Sequence, residues 1–466
     1  MRGWLLAVCW SVVLVPSVAV SARAQTSPRR LQAIVAEAER LGARTGVAVA
    51  DRRGTLLYRH RSTEAFAPAS NQKIVTALAF LDVVGSDFEF ETRFLLRDGV
   101  LVVEASGDPN WRTGGPYDPA AAFDRVAAQL RDAGIRAVRE VRLDAGPFTG
   151  PDRPPEWPGN QLHLDYCAPT SPFLLDAGMY RVRVTGAGAE PLVEVVAPAA
   201  GVRVRNELKR ATGKSRPVYG AMDHGDDVLV HGRYGALREP FEFEAVMQDP
   251  AAWYERLLRW RLQAGGIAIA DSSAPGPDRL VAVVRSPLRP ALERVLEDSS
   301  NVDAEQCVRV LGARLRGDGS LAGGVAALRA RLEAKLGGWP VGAELHDGSG
   351  LTAANRLTPG LLVATMLACG AGASDNVFRD CLPVAGVSGT LEDRFTGSPL
   401  RGHVRAKTGW IRGASSLSGI VESADGELRY FSILMNYDPA RSGFNKQCKQ
   451  LQEQMVEAIA ALEPQR

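Results

Sequence analysis

The sequence predicts an α/β domain interrupted by a β-rich insertion, and three observations lead there. Helical and strand-like segments alternate up to about residue 85. Residues 86–240 break into short β-type runs punctuated by Gly, Pro and Asp. Helices and three strand-like runs then return and continue to the C-terminus. A chain of 466 residues, 45% hydrophobic and 23% charged, has ordinary globular composition but is too long for one compact core.

Each element has a local reason. A short helical segment, Leu31 to Leu41, precedes TGVAVAD and TLLYRH, two β-rich runs around Arg52-Arg53-Gly54 that read as a hairpin. Ile74, Ala77, Leu78 and Leu81 recur at helical spacing, predicting a helix from about Ser70 to Val84. Phe80 and its neighbours make that helix apolar nearly all round, so it is expected to be central and buried. In the middle, FEFETRFLL, VLVVEAS, VREVRLD, MYRVRV, PLVEVVA and GVRVRNE read as strands, with one helix at Ala120 to Ala133. Asp249 to Ala264 is helical, followed by Gly265-Gly266 and the strand-like IAIA. The helix after Asn301 places Ala304, Val308 and Leu311 on one face. VRAKTGW, SSLSGIV and LRYFSILMN read as strands, the last two joined by a hairpin-type turn at Ser423-Ala424-Asp425-Gly426. A closing helix, Gln447 to Leu462, puts Leu451, Met455 and Ile459 on one side. The expected organisation is a discontinuous domain, 25–85 with 241–466, around an insertion at 86–240.

Residues 1–24 read as a cleaved signal peptide. Arg2 forms the positive start, Trp4 to Val20 the apolar stretch, and Ala22-Arg23-Ala24 the cleavage signal. The small, weakly polar flank favours cleavage over an anchor, with a mature start near Gln25. Its removal takes two of 55 basic residues and none of 53 acidic ones, leaving a balanced chain. That balance gives no argument for nucleic acid or an anionic membrane surface. No later stretch is long and apolar enough to span a bilayer. Cys167, Cys307, Cys369, Cys381 and Cys448 remain, an odd number that leaves at least one thiol unpaired within the chain. They lack metal-ligand spacing, so no metal is expected and most read as packing residues.

Lysine is scarce: only seven of the 55 basic residues, at 73, 209, 214, 335, 407, 446 and 449. Arginine cannot release its proton in a protein, whereas a desolvated lysine can act as a base. Lys73 alone has a serine three positions before it, and i, i+3 spacing on a helix brings its amine within reach of Ser70. Ser70 reads equally as an N-terminal cap or as a nucleophile at the positive end of the helix dipole. Lys407-Thr408-Gly409 is the chain's single K-[ST]-G, within a strand-like run. It reads either as a carboxylate-holding strand or as a charged surface strand. Of two Ser-x-Asn elements, Ser299-Ser300-Asn301 opens a helix, whereas Ser374-Asp375-Asn376 falls in a Gly/Ala-rich stretch read as a loop. The first is the better candidate for an independent wall.

The order S-x-x-K, S-x-N, K-T-G resembles the penicillin-recognising serine acyl-transferases. The finer resemblance is to the low-molecular-mass D-alanyl-D-alanine carboxypeptidases/endopeptidases, the class C penicillin-binding proteins with a large insertion between the first two motifs. The stretches PASNQKIVTAL, ASGDPNW, HDGSGLTAANRLTP, LPVAGVSGTLEDRF and VRAKTGWIRGASSLSG carry it, over about residues 31–436. It implies a penicillin-binding, β-lactamase-like domain, an antiparallel sheet flanked by helices, acting on peptidoglycan stem peptides in the periplasm without a cofactor. β-Lactams would be inhibitors. Ser70 would be the acylated nucleophile, Lys73 its base, Ser299 the proton relay to the leaving amine, and Asn301 a partner of Lys73 and of the substrate amide. Lys407 and Thr408 would receive the terminal carboxylate, and the backbone N–H groups of Ser70 and Trp410, beyond Gly409, would form the oxyanion hole. Asp144 would grip an amino group of the stem, or simply end a strand. Trp410 departs from the small hydroxyl residue usual after K-T-G, which puts that residue's carboxylate contact in doubt. The alternatives are a β-lactamase, which the 229 positions between Ser70 and Ser299 argue against, and an inactive cell-wall-binding scaffold.

Overall fold

The computed structural model describes residues 27–186, 190–211, 216–235, 240–270, 278–370 and 373–463. The expected leader, residues 1–24, lies outside them. The scaffold of the site is a five-stranded sheet built from both ends of the chain. Its strands are β1 (Arg44–Asp51), β2 (Leu56–His60), β3 (Val404–Ile411), β4 (Ala414–Glu422) and β5 (Leu428–Asn436). Their spatial order is β3-β4-β5-β1-β2, antiparallel throughout, with β3 at one edge.

Strands buried on both faces read as apolar runs. Seven of β5's nine residues are buried, because helices cover both sides. The terminal helices α1 (Ser27–Arg40) and α6 (Phe444–Ala460) close one face through Leu31, Val35, Met455 and Ile459 against Val47, Leu417 and Ile433. The other face carries α2 (Gln72–Val84), α3 (Asn301–Arg316), α4 (Leu321–Leu336) and α5 (Pro359–Cys369), which share a core containing Phe80, Val308, Leu328 and Leu362. Their ends are chemically specified. Ser300, Ser320 and Thr358 accept from backbone N–H groups in the first turns of α3, α4 and α5. Gly317 and Gly337 end α3 and α4 in the left-handed conformation.

Helix α2 is central and buried, as its all-round apolarity requires; Gln72 to Leu81 are inaccessible without interruption. Helix α3 departs from the one-faced expectation. Asn301 to Gly312 are all buried, because α3 is enclosed by α2, α4 and segments of the middle region. Its polar residues are therefore internal, and each such group needs a partner.

The middle of the chain forms further sheets. Glu89–Arg97 pairs with Val100–Glu104, which pairs in parallel with Glu140–Asp144. Two three-stranded sheets follow, one of 179–185, 192–197 and 241–246, the other of 203–210, 218–224 and 227–234. Helices Pro119–Asp132 and Pro250–Ala264 share their core, where Phe123 and Tyr254 meet edge-on at 4.9 Å. Strand Arg279–Pro287 pairs with Glu89–Arg97. Helix 250–264 and strand 279–287 were expected beyond the insertion, yet they pack and pair with it. Helical and strand periodicity identifies an element but not its partner, so a boundary at 241 falls inside this packing unit.

All five described cysteines are free and buried, and burial pushes the thiols of Cys167, Cys307, Cys369, Cys381 and Cys448 upward. Protein beginning near Gln25 is therefore expected to react at none of them with a thiol reagent when native, and at all five once denatured. Its melting temperature is expected to be the same with and without reductant; a reductant-sensitive transition would contradict free thiols.

Candidate active site

The site begins at a turn held from two directions. Residues Ala69–Asn71 form one 3-10 turn before α2. Asn436 of β5 bonds both backbone groups of Ala67, accepting from its N–H at 2.9 Å and donating to its carbonyl at 3.1 Å. Ser416 Oγ of β4 donates to the Pro68 carbonyl at 2.7 Å. Ala69 sits at φ +47°, a left-handed conformation that costs a non-glycine residue about 1–3 kcal/mol unless its surroundings enforce it. Ser70 does not cap the helix. Asn71 occupies the N-cap position, and neither it nor the preceding turn makes a side-chain cap bond.

One turn on, Lys73 is fully buried. Its Nζ donates to Ser70 Oγ at 3.1 Å, Asn301 Oδ1 at 2.6 Å and the Ser349 carbonyl at 2.8 Å. Burial lowers its pKa to about 7, against the opposing pull of Asp347 and Glu305. An amine lowered that far can give up its proton near neutral pH. Neutral, it keeps two N–H donors for Asn301 and Ser349 and leaves a lone pair for the Ser70 hydroxyl proton.

Asn301 is the first residue of α3, and its Nδ2 donates to the Tyr166 carbonyl at 2.8 Å. Ser299, two residues earlier, takes φ +66° and lines the same cleft as Ser70. Ser300 caps α3 and also donates to Asp303, whose carboxylate is clamped by Arg112 and Arg294. The other Ser-x-Asn element, Ser374 to Asn376, lies in helix Ala373–Asp380 rather than in a loop.

Edge strand β3 forms the facing wall. Lys407 is fully buried, and its Nζ donates to the Thr408 carbonyl at 3.0 Å. Burial and the nearby Lys73 push its pKa well below the usual range, with Asp298 opposing. Thr408 Oγ1 donates to Thr390 Oγ1 at 2.8 Å. Asn71 ties the turn to this wall. In the amide orientation that satisfies both strands it donates to the Lys407 carbonyl at 2.9 Å and accepts from the Ser418 N–H at 3.1 Å. Gly409 is the point of closest approach, where a Cβ would lie 2.1 Å from Ser416 Oγ and 2.9 Å from the Ser70 nitrogen. Trp410 is 60% exposed, at the rim of the cleft.

Eight of the nine sequence candidates thus converge: Ser70, Lys73, Ser299, Asn301, Lys407, Thr408, Gly409 and Trp410. Asp144, like Lys73, Asn301 and Lys407, is not in the lining of the cleft, and no hydrogen bond among the described residues joins it to the other eight. It ends strand Glu140–Asp144, and its carboxylate accepts from the Gly146 N–H at 2.9 Å, closing the following turn. Sequence reasoning missed the layer beneath Lys73. Glu305 of α3 accepts from the N–H groups of Gly348 and Ser349 at 2.9 and 2.8 Å. Asp347 accepts from Gly350, Thr352 and Asn355, and from Trp157 Nε1 at 3.1 Å. Burial and the neighbouring Asp347 hold the Glu305 pKa above the usual carboxylate range. The available signals were acidic residues inside a buried helix and the stretch HDGSG. Among the described residues, no group of His, Cys, Asp or Glu is placed to hold a metal ion.

A buried amine beside a serine, a second serine across a cleft and a lysine-threonine strand are an arrangement suited to serine acyl transfer. The chain belongs to the D-Ala-D-Ala carboxypeptidase 3 (S13) family, whose model matches residues 28–462. Among its relatives is a D-alanyl-D-alanine carboxypeptidase from an Actinomadura species, 28% identical over 444 residues, covering 87% of this chain and 80% of the relative. The D-alanyl-D-alanine carboxypeptidase DacB of Haemophilus influenzae is 26% identical over 396 residues, covering 79% of this chain and 80% of that protein. In three dimensions the chain is similar to penicillin-binding protein 4 of Haemophilus influenzae, with a TM-score of 0.75 at 22% identity, over 93% of this chain and 99% of that one.

Because Gly409 touches the turn carrying Ser70, Gly409→Ala is expected to slow covalent labelling of Ser70 by penicillin about a hundredfold. Labelling at the wild-type rate would show that this close approach is dispensable.

Proposed function

We propose that this protein is a serine DD-peptidase that hydrolyses the D-Ala-D-Ala bond, or a D-Ala cross-link, of peptidoglycan stem peptides through an acyl intermediate on Ser70. The observation that carries the reading is the Lys73 amine, buried 3.1 Å from Ser70 Oγ with its other contacts fixed by Asn301 and Ser349. Neutral Lys73 takes the proton as Ser70 Oγ attacks the carbonyl carbon of the penultimate D-Ala. The backbone N–H groups of Ser70 and Trp410 stabilise the resulting oxyanion. Lys73 returns the proton through Ser299 to the leaving amine, the C–N bond breaks, and water hydrolyses the ester by the reverse proton path. Asn301 holds Lys73 and accompanies the substrate amide, while Lys407 and Thr408 receive the terminal carboxylate. Trp410 supplies a main-chain donor, so its side chain does not prevent acylation.

The same reading covers the remaining organisation. We place the insertion at about 86 to 287, a reading supported by the pairing of strand 279–287 with strand 89–97. The leader-like residues 1–24 and a peptidoglycan substrate support export to the periplasm. Among the described residues no helix is long and apolar enough to cross a membrane.

Incubation with a labelled penicillin tests the nucleophile: the wild type is expected to be labelled and Ser70→Ala not at all. Label retained on Ser70→Ala would place the nucleophile elsewhere. Acylation requires the uncharged amine, so its rate is expected to rise with pH and level off above about 7. Below that value it should fall about tenfold per pH unit. Lys73→Arg, charged at every accessible pH, is expected to acylate about 10²–10⁴-fold more slowly. A rate independent of pH between 5 and 8 would exclude Lys73 as the base.

A further inference from the structure

The cleft does not stop at Thr408. Its volume is about 390 Å³, within the range of about 300–1,000 Å³ that encloses a ligand far larger than one alanine. Lys73, Asn301 and Tyr166 do not line this space. Beyond Ser70, Ser299 and the strand residues Thr408, Gly409 and Trp410, its lining includes Thr390, Arg394, Lys449 and Gln452; on the DD-peptidase reading this is the side that receives the leaving group.

The far wall is built for negative charge. Arg394 is 93% buried yet lines the cleft. Its Nε donates to Glu453 at 2.8 Å, and one terminal nitrogen donates to the Lys449 carbonyl at 2.9 Å and to Gln452 Oε1 at 3.3 Å. Its other terminal nitrogen has no hydrogen-bond partner among the described residues. Lys449, exposed on α6, brings a second cation to the cleft, and it makes no ion pair among the described residues. Gln452, which donates to Ser415 Oγ, and the hydroxyls of Thr390 and Thr408 complete the wall. Among the described residues, no carboxylate lines the cleft. Glu453 pairs with Arg394, which leaves Lys449 as the cation lining the cleft that has no ion pair among the described residues.

We infer that Lys449, with Arg394, Thr390 and Gln452, forms an anion subsite for the leaving group, suited to one carrying a second carboxylate beside that held at Lys407 and Thr408. The inference rests on the DD-peptidase reading and deepens it. A lone D-alanine offers one carboxylate and leaves the far wall unfilled. A leaving amino acid or cross-linked stem with a second carboxylate places it there, beside a cation the protein leaves free. The substrate class is therefore a D-Ala bond whose leaving amine belongs to a dicarboxylic residue.

Steady-state hydrolysis of two diacetyl-lysyl peptides, one ending in D-Ala-D-Ala and one in D-Ala-D-Glu, tests this, with penicillin labelling of Ser70 run in parallel. The wild type is expected to cleave the D-Glu peptide at least as efficiently as the D-Ala peptide. Lys449→Glu, a surface change, should lower kcat/KM for D-Ala-D-Glu about tenfold, through KM, and for D-Ala-D-Ala by less than about threefold. Lys449→Arg should retain the preference. Equal losses on both peptides, or rejection of D-Glu by a wild type that cleaves D-Ala, overturn the subsite and leave the peptidase reading standing. A wild type that cleaves neither peptide and takes no label removes the peptidase reading, and the subsite with it.

Discussion

The burial of one amine organises this protein. Lys73 has no solvent contact and gives all three of its contacts to acceptors on separate segments: the serine turn, helix α3 and the 347–350 loop. Removing an ammonium from water is costly unless it is well paired or gives up its proton. Here the protein does some of each. Asp347 and Glu305 lie near enough to favour the charge but do not hydrogen-bond it, and burial outweighs them. The result is an amine balanced between states, as the base proposed for Ser70 needs to be.

Much of the surrounding architecture holds that balance. Glu305 accepts from two consecutive backbone N–H groups, so the following carbonyl, of Ser349, is directed at Lys73. Gly350 lets this loop pass under the catalytic turn, since a Cβ there would lie 1.9 Å from the Ala69 carbonyl oxygen. Left-handed residues, Ala69 beside Ser70 and Ser299 itself, mark where the backbone is held against its own preference. The middle of the chain is part of the same support. Tyr166 offers its carbonyl to Asn301, Arg112 clamps Asp303 and Trp157 bonds Asp347.

The readable part of this protein was the part written in local pattern. Strands 404–411, 414–422 and 428–436 and the buried α2 follow from periodicity, and the three motifs stand out because lysine is scarce. What periodicity lacks is partnership. It could not show that strand 279–287 pairs with 89–97, nor that α3 would be enclosed on every side. Ser70 was legible as a residue of consequence but not as a non-cap, because a 3-10 turn and an α-helical first turn share one composition. Glu305 and Asp347 were hidden for a different reason: an acidic residue announces its importance only when it is seen to be buried. Asp144 had two readings in the sequence, and its carboxylate closes the turn.

The bond from Asn301 to the Tyr166 carbonyl has a consequence for how the molecule comes into being. Ser70 and Lys73 are neighbours in sequence, but Asn301 stands 228 residues from Lys73, and its own anchor lies 135 residues before it. Contacts of such separation carry a larger loop-closure cost than the local Ser70–Lys73 pair, and they cannot exist until the chain as far as residue 349 is present. The reactive pair therefore exists early as sequence and late as chemistry. A growing or half-folded chain carries the serine and the lysine without the carbonyls that fix the amine. Hydrolytic competence is thus among the last properties the polypeptide acquires, and no short fragment can inherit it.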